Sequence, residues 1–158
     1  MKKLLPLLAL LAGCGGTPPP VATTVPAPSE PAELAHLPNH AVFDVPALRH
    51  KSLNQIRAKL GVPNEDDSQP TAEQRRDLRE WDNAYKKEGM QLRISYNPRN
   101  NKVKDFFISP LDGVTNDLNA LLAAGHLTPT TPGFEIQPVF LHLNPSTHQY
   151  TGVTLVPN

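Results

Sequence analysis

Apolar residues recur with helical spacing just after residue 50. They lie at positions i, i+3 and i+7 and are Leu53, Ile56 and Leu60. Ser52 precedes them and Gln55 follows three residues later, which is the pattern of a capping box at a helix N-terminus. Gly61 and then Pro63 favour termination. The sequence therefore predicts a helix that begins after Ser52 and ends before Gly61.

A second capping box predicts a longer helix. Thr71 and Gln74 have the capping spacing, and the buried stripe would consist of Leu78, Trp81 and Tyr85, with Ala84 beside it. We expect this helix to run to about Glu88, with Gly89 as its C-terminal stop. Its other face mixes charges at i, i+4 spacing, which predicts a solvated face, with a polar docking surface as the alternative. These charges are Glu73, Arg75, Arg76, Asp77, Arg79, Glu80, Asp82, Lys86, Lys87 and Glu88.

Two shorter patterns add one helix and one extended run. Residues 116–124 place Leu118, Leu121 and Leu122 on one side and are followed by Gly125, so we expect a third helix there. Residues 41–45 read as a short β-like run.

Alternation of apolar and polar residues predicts two β-hairpins. In the first strand the apolar positions are Met90, Leu92, Ile94 and Tyr96. A turn at residues 98–101 leads to a return strand over residues 102–109. The second hairpin would pair residues 134–143 with residues 149–156. Pro138 has no N–H to donate, so we expect it at a bulge or on a sheet edge.

These elements predict an α+β fold for residues 40–158. Helices and antiparallel hairpins that occur in blocks favour a two-layer sandwich. We expect about four antiparallel strands, covered on one face by two or three helices. About 119 residues are enough to form one hydrophobic core.

The first fourteen residues have the pattern of an export signal. Lys2 and Lys3 precede a short apolar run that is well below the roughly 20 residues of a membrane-spanning helix. The run ends at the only cysteine, in the sequence Leu11-Ala12-Gly13-Cys14. This sequence resembles the lipobox of bacterial lipoprotein precursors. The resemblance implies that residues 1–13 are a signal peptide and that Cys14 carries a lipid that anchors the chain to a membrane.

Residues 14–39 are predicted to form a lipidated N-terminus and a disordered tether. Seven prolines fall between Gly15 and Asn39, among small residues that could not build a core. Polyproline-II segments would extend near 3.1 Å per residue and hold a domain away from the membrane. A recognition peptide for an aromatic groove is the alternative.

Charge and cysteine content exclude several classes of function. The chain has 15 basic and 15 acidic side chains, and the charge lacks the clustered basic excess that nucleic-acid binding needs. A single cysteine excludes an internal disulfide and a cysteine-only zinc site. Removal of Lys2 and Lys3 would leave 13 basic against 15 acidic groups, so the lipid itself must anchor the protein.

A second resemblance concerns the folded region. Its residues are Lys51-Ser52-x-x-Gln55-Ile56-x-x-x-Leu60-Gly61-x-Pro63, then Leu92-x-Ile94-x-Tyr96 and the return strand around Val103. This pattern resembles the small lipoproteins of the BamE/SmpA-OmlA type. The resemblance implies a two-layer fold and a role in helping the machinery that inserts barrels into the outer membrane. The predicted long charged helix, the later helix and the second hairpin depart from that family's pattern.

No histidine or acidic pattern predicts a metal or cofactor site. The six histidines are His36, His40, His50, His126, His142 and His148, and none forms a motif such as HExxH. His142 and His148 flank a predicted turn and could meet across the hairpin to hold a metal, with exposed strand ends as the alternative. The acidic run Glu65-Asp66-Asp67 lacks the spaced ligands of a calcium loop, so a solvated loop is favoured.

Nucleophile motifs are absent from the sequence as well. Ser52 lies near His50, but its capping partner Gln55 favours a structural role. A set of aromatic residues could line a ligand groove between helix and sheet, although amphipathic spacing first indicates a core. The set is Trp81, Tyr85, Phe106, Phe107 and Tyr150.

The sequence therefore favours a membrane-anchored, non-enzymatic binding or scaffold lipoprotein of the cell envelope. An envelope protein is the expected partner, and no nucleic acid and no cofactor are expected. Gly15 after the lipidated cysteine favours the outer membrane, facing the periplasm, if the host has two membranes. A small-ligand or lipid-binding lipoprotein is the alternative, and an envelope hydrolase is a third.

Overall fold

The computed structural model describes residues 33–64, 69–141 and 148–158, which form three α-helices, one 3-10 helix and five strands. The helices are the 3-10 helix Pro46–Leu48 and the α-helices α1 (Leu53–Leu60), α2 (Ala72–Asp77) and α3 (Leu118–Ala124). The strands are β1 (Trp81–Lys87), β2 (Met90–Asn97), β3 (Lys102–Pro110), β4 (Phe134–Phe140) and β5 (Tyr150–Pro157).

Side-chain caps start all three α-helices. At α1, the Gln55 N–H donates to the Ser52 hydroxyl at 3.4 Å and the Ser52 N–H donates to Gln55 Oε1 at 2.9 Å. Thr71 and Gln74 make the same reciprocal pair at α2. Asp117 accepts from the Ala120 N–H at 2.9 Å to cap α3. The two predicted capping boxes are confirmed, since each satisfies N–H groups that a helix start leaves free.

The prediction of a long second helix that runs to about Glu88 is wrong. α2 ends at Asp77, and Leu78 already has an extended backbone. The chain then forms β1, which pairs with β2 through seven residue pairs from Trp81↔Tyr96 to Lys87↔Met90. The two turn residues Glu88 and Gly89 both have positive φ, 50° and 75°, as a tight hairpin turn whose twist suits paired strands requires. Gly89, which was predicted to end a helix, therefore lies in a hairpin turn.

The five strands form one antiparallel sheet in the order β1-β2-β3-β5-β4. The α+β class is confirmed, with five strands rather than about four, because β1 replaces part of the predicted helix. Both predicted strand pairs are present, β2 with β3 and β4 with β5, while residues 142–147, which include the predicted turn of the second hairpin, lie outside the described residues. β4 lies at an edge and its register shifts between Val139 and Phe140, so Pro138 occupies the edge position predicted for it.

Apolar side chains from one sheet face form the core. Met90, Leu92 and Ile94 of β2 alternate with half-buried or exposed residues, and their neighbours in the register are the buried Phe106 and Ile108 of β3. The same cluster takes in Leu48, Ile56, Leu121, Leu122, Val153 and Leu155. Each such side chain contributes about 1.5–3 kcal/mol when fully buried.

The β-like run at residues 41–45 is not a strand. The N–H groups of Val42 and Phe43 donate to the Ala124 carbonyl at 2.8 and 3.0 Å, and the Val45 N–H donates to the Gly125 carbonyl at 3.2 Å. All three of these side chains are buried. The run therefore packs against the end of α3, and its apolar character reflects burial rather than sheet pairing.

Residues 33–36 are the start of the described chain and belong to the predicted tether. Leu34 makes an isolated parallel bridge with Val114. The Val114 N–H donates to the Glu33 carbonyl at 3.0 Å, and the Ala35 N–H donates to the Val114 carbonyl at 2.7 Å. Within the described ranges, no helix has both the length and the apolar character needed to cross a membrane.

Candidate binding site

Polar side chains of α1, β1 and β2 meet on the core face of the sheet. Period-2 alternation puts Asn83 and Tyr85 on the same face of β1, and Tyr96 lies diagonally across from Asn83 on β2. Arg57 of α1 reaches this face, and its Nη2 donates to Asn83 Oδ1 at 3.2 Å. We call these four residues, Arg57, Asn83, Tyr85 and Tyr96, the arginine–tyrosine cluster.

The cluster is buried and holds several polar atoms without partners. Asn83 is 0%, Tyr96 1% and Tyr85 4% exposed. Among the described residues, no hydrogen bond of normal geometry reaches Arg57 Nε, Asn83 Nδ2 or either tyrosine hydroxyl, although Arg57 lies close enough to both hydroxyls to interact with them. Buried polar groups are nearly always bonded, and leaving one unpaired costs about 1–3 kcal/mol. These four atoms, one of which belongs to the Arg57 guanidinium, therefore form an unusually polar part of this core.

The cluster combines one cation with neutral polar groups. Burial raises the pKa of the Tyr85 hydroxyl and the pKa of the Tyr96 hydroxyl, while the charge of Arg57 and its hydrogen bonding with each hydroxyl oppose both shifts. Both hydroxyls therefore stay protonated at neutral pH, and Arg57 stays charged. Arg57 Nε and Asn83 Nδ2 can only donate. The two hydroxyls can donate or accept, so either one can accept from the Arg57 guanidinium.

A pocket of about 400 Å³ lies against Arg57. Its lining is Arg57, Ala58, Gly61, Val62 and Pro63, at the C-terminal end of α1. The loop after the pocket is fixed to the edge of the sheet, since the Asn64 N–H donates to the Ala84 carbonyl at 2.7 Å and Asn64 Oδ1 accepts from the Lys86 N–H. The pocket has the size of a small-molecule site, with apolar walls and one cation.

Three of the histidines contact different partners. His40 is within 2.7 Å of Glu88, His126 contacts Asp44 at 3.3 Å, and the His148 ring packs edge-on against Phe140 at 6.3 Å. His142, like residues 65–67 of the acidic loop, lies outside the described residues. Nowhere in the ranges 33–64, 69–141 and 148–158 do three or more His, Cys, Asp or Glu side chains group closely enough to hold a metal ion.

Asp44 contacts two surface side chains, those of His126 and Lys59. Burial would raise the pKa of this carboxyl, but hydrogen bonds with His126 and with the Ala47 N–H, together with Lys59, outweigh burial and lower it. Lys59 Nζ lies 3.4 Å from Asp44 Oδ2. All three side chains are well exposed, so the contacts amount to surface ion pairing.

The aromatic groove that was the alternative to a core does not form. Phe106 is buried in the core, whereas Phe107, its neighbour on β3, lies on the opposite sheet face beneath the Arg93 guanidinium at 4.9 Å. Tyr150 lies at the start of β5, where its ring contacts Phe140 at 5.0 Å. Of the five aromatic residues, only Trp81 and Tyr85 lie on the same strand and on the same face of the sheet. The core interpretation therefore holds for Phe106 and Tyr85.

The predicted charged helix face is divided among three segments. Some of its charges lie on α2, some in the loop that follows, and the rest on β1 or its turn. On the sheet face away from the core, Asp82 and Asp105 flank Ser95 across three strands. Burial raises the pKa of Asp105; a hydrogen bond with Ser95 opposes this shift, and the charges of Glu80 and Asp82 add to it.

Sequence reasoning missed Arg57, Asn83 and Tyr96 as site residues. Arg57 lies four residues after Leu53 and three before Leu60, so it falls on the apolar stripe of α1. A charged residue on that stripe was the available signal. The cluster also depends on β1, whose prediction as a helix hid Asn83.

Comparison with known protein families, with curated proteins and with solved structures finds no match for this chain.

Proposed function

We propose that this chain is an exported lipoprotein, anchored to a membrane through lipid on Cys14, whose α+β domain serves as a non-enzymatic binding or scaffold module. The observation that carries the proposal is the position of the only cysteine, at the end of Leu11-Ala12-Gly13-Cys14 after a short apolar run. The envelope partner is a protein, and the resemblance to BamE/SmpA-OmlA lipoproteins makes a role accessory to outer-membrane assembly the leading choice.

The domain arrangement belongs to the same proposal. We take the helices to cover one face of the sheet as a two-layer sandwich. Support comes from the contacts of α3 with β3 and β5 and from the single core cluster that joins Leu48, Ile56 and Leu121 to the sheet residues.

Metabolic labelling with a radioactive fatty acid tests the anchor. The full chain should incorporate label and sediment with membranes, since two or three acyl chains hold a protein stably. Cys14→Ala and Cys14→Ser should incorporate none. Label that persists in both variants would exclude Cys14 as the lipid site, and a soluble, unlabelled full chain would overturn the anchoring proposal.

Co-purification tests the scaffold role. Full-length protein extracted in mild detergent should retain envelope proteins that the Cys14→Ala variant loses. Barrel-assembly components among them would support the outer-membrane role, and a membrane-anchored protein that retains no partner would contradict it.

The pocket at the end of α1 favours a second candidate function, binding of a small ligand. The support is its volume of about 400 Å³ and its lining of Arg57 with the apolar Ala58, Val62 and Pro63. A hydrolase role would need catalytic groups that converge, and the suggested pair includes His142, which lies outside the described residues.

A further inference from the structure

Three aromatic side chains gather where β4 ends and β5 begins. The Phe140 ring lies 5.0 Å from the Tyr150 ring and 6.3 Å from the His148 ring. Phe140 is 42% exposed, and it ends the strand at the edge of the sheet. We call Phe140, His148 and Tyr150 the aromatic corner. Rings with an apolar body and a polar tip, such as that of tyrosine, favour an interface between water and lipid.

Residues 33–35 hold the start of the folded region beside the aromatic corner. They form two backbone hydrogen bonds with Val114. Thr115, the next residue, exchanges two backbone hydrogen bonds with Tyr150, at 3.0 and 2.7 Å. Paired backbones lie about 4.8 Å apart, so two such steps place residues 33–35 roughly 10 Å from Tyr150.

A short stretch of chain separates this point from the proposed lipid anchor. Residues 15–32 lie between Cys14 and Glu33, and 18 residues in polyproline-II form would span about 56 Å. A tether of this length keeps the domain near the bilayer, where a weak contact forms repeatedly at high local concentration. Because the tether joins the domain beside the aromatic corner, this corner can reach the bilayer with the least extension of the tether.

The segments around the corner carry acidic side chains and no basic ones. These segments are residues 33–36, 111–118, 139–141 and 148–152. They contain Glu33, Asp112 and Asp117 but neither lysine nor arginine. Attraction to anionic headgroups requires lysine or arginine near the membrane, and acidic side chains are repelled by them. The charge of the corner therefore selects a zwitterionic lipid surface over an anionic one.

We propose that the aromatic corner is a membrane-contacting surface that lies against a zwitterionic phospholipid bilayer. Phe140 supplies the apolar ring that enters the headgroup layer, and the Tyr150 hydroxyl and the His148 ring nitrogens stay in contact with water. The proposal rests on the lipid anchor at Cys14 and adds which part of the domain faces the bilayer. The opposite sheet edge, formed by β1, then faces away from it.

Fluorescence quenching by brominated phosphatidylcholine tests this contact. The full lipidated chain is reconstituted in vesicles of that lipid, and Phe140→Trp places an indole at the corner. Val62→Trp is the matched control, because Val62 is 74% exposed and follows α1, which bonds to β1 at the opposite sheet edge. Both positions are exposed, so both replacements should be tolerated.

The expected result is a loss of emission that depends on position. The parent chain, whose only tryptophan is Trp81, gives the background. Brominated lipid should quench Phe140→Trp more strongly than the parent and should leave Val62→Trp at the background level. Vesicle-bound protein without extra quenching of Phe140→Trp would overturn the contact and leave the anchor standing, and equal quenching of both variants would overturn the choice of the corner. A chain that does not sediment with the vesicles would overturn the anchor itself.

The choice of headgroup has a separate test. Phosphatidylglycerol is added to the vesicles while the fraction of brominated lipid stays constant. The extra quenching of Phe140→Trp should fall, because the acidic side chains around the corner are repelled, and added salt should restore it by screening. Stronger quenching on the anionic vesicles would overturn the zwitterionic surface.

Discussion

Replacement of Tyr96 by phenylalanine tests whether the hydroxyls of the cluster are unpaired. The change removes one oxygen and leaves the ring in place. The Tyr96 side chain is 1% exposed, and its hydroxyl has no partner of normal geometry in the described part of the chain. Tyr85→Phe makes the equivalent change on β1. Because neither ring moves, the free energy of unfolding reports on the hydroxyl alone.

The sign of the effect follows from the state of the hydroxyl. An unpaired buried polar group costs about 1–3 kcal/mol, and the nearby Arg57 cation recovers part of that cost. We therefore expect Tyr96→Phe to raise the free energy of unfolding by about 0.5–1 kcal/mol. A hydroxyl with a normal hydrogen bond would give the opposite result, a loss of about 0.5–1.5 kcal/mol.

Urea unfolding at pH 7 measures this difference as a shift in midpoint at constant slope. Tyr150→Phe is the control, since Tyr150 is only partly buried and its replacement should change stability by less than about 0.5 kcal/mol. A loss of about 1 kcal/mol in Tyr96→Phe, with Tyr150→Phe neutral, would refute the interpretation that the Tyr96 hydroxyl is unpaired.

Titration at high pH gives a second readout of the same hydroxyls. Burial raises the pKa of Tyr85 and of Tyr96, so the folded protein holds these protons more tightly than the unfolded chain, whose tyrosines ionise near pH 10. Their contribution to stability is present below that pH and is lost as the pH rises through the folded-state pKa. The Tyr85→Phe/Tyr96→Phe double variant should lose less stability above pH 10, as followed by circular dichroism. Identical alkaline profiles would contradict the assigned burial.

Two further predictions concern other parts of the domain. Gly113→Ala should destabilise by more than Gly89→Ala in urea unfolding: both have positive φ and each change costs about 1–2 kcal/mol, but a Cβ at Gly113 would also lie 2.2 Å from the Glu33 carbonyl oxygen. Equal losses would argue against the packing of Glu33 there. Asp105→Asn should raise stability at pH 7 and have little effect at pH 3, because the raised pKa of Asp105 means that its charged form is disfavoured in the folded state. A loss at pH 7 would show that its carboxylate is favourably paired.

The segment after Thr71 shows why the sequence predicted the class of fold better than its strand count. Leu78, Trp81 and Tyr85 fit helical spacing, yet Trp81 and Tyr85 also fit the period of a strand. Local propensity does not separate the two interpretations. The strand is decided by the pairing of β1 with β2 through a two-residue turn. That turn requires a positive φ at Glu88, and glutamate is not a residue type from which a positive φ would be predicted.

Elements whose signals are local were predicted well. The capping boxes at Ser52 and Thr71 are contained within four residues each, and the alternation in β2 extends over its whole length. The arginine–tyrosine cluster is different, because Arg57 and Asn83 are 26 residues apart in sequence and meet only through the sheet. The one local signal of this cluster in the sequence is Arg57, a charged residue on the apolar stripe of α1.

The buried polar atoms of the cluster affect the stability of the domain. Four polar atoms without a partner of normal geometry, at about 1–3 kcal/mol each, are comparable to the 5–15 kcal/mol total stability of a typical domain. Phenylalanine at Tyr85 and Tyr96 would remove part of that cost, so the domain should be more stable without these hydroxyls than with them. The double substitution should therefore raise the thermal midpoint, whereas a lowered midpoint would show that the interaction of the hydroxyls with Arg57 outweighs the cost of burying them.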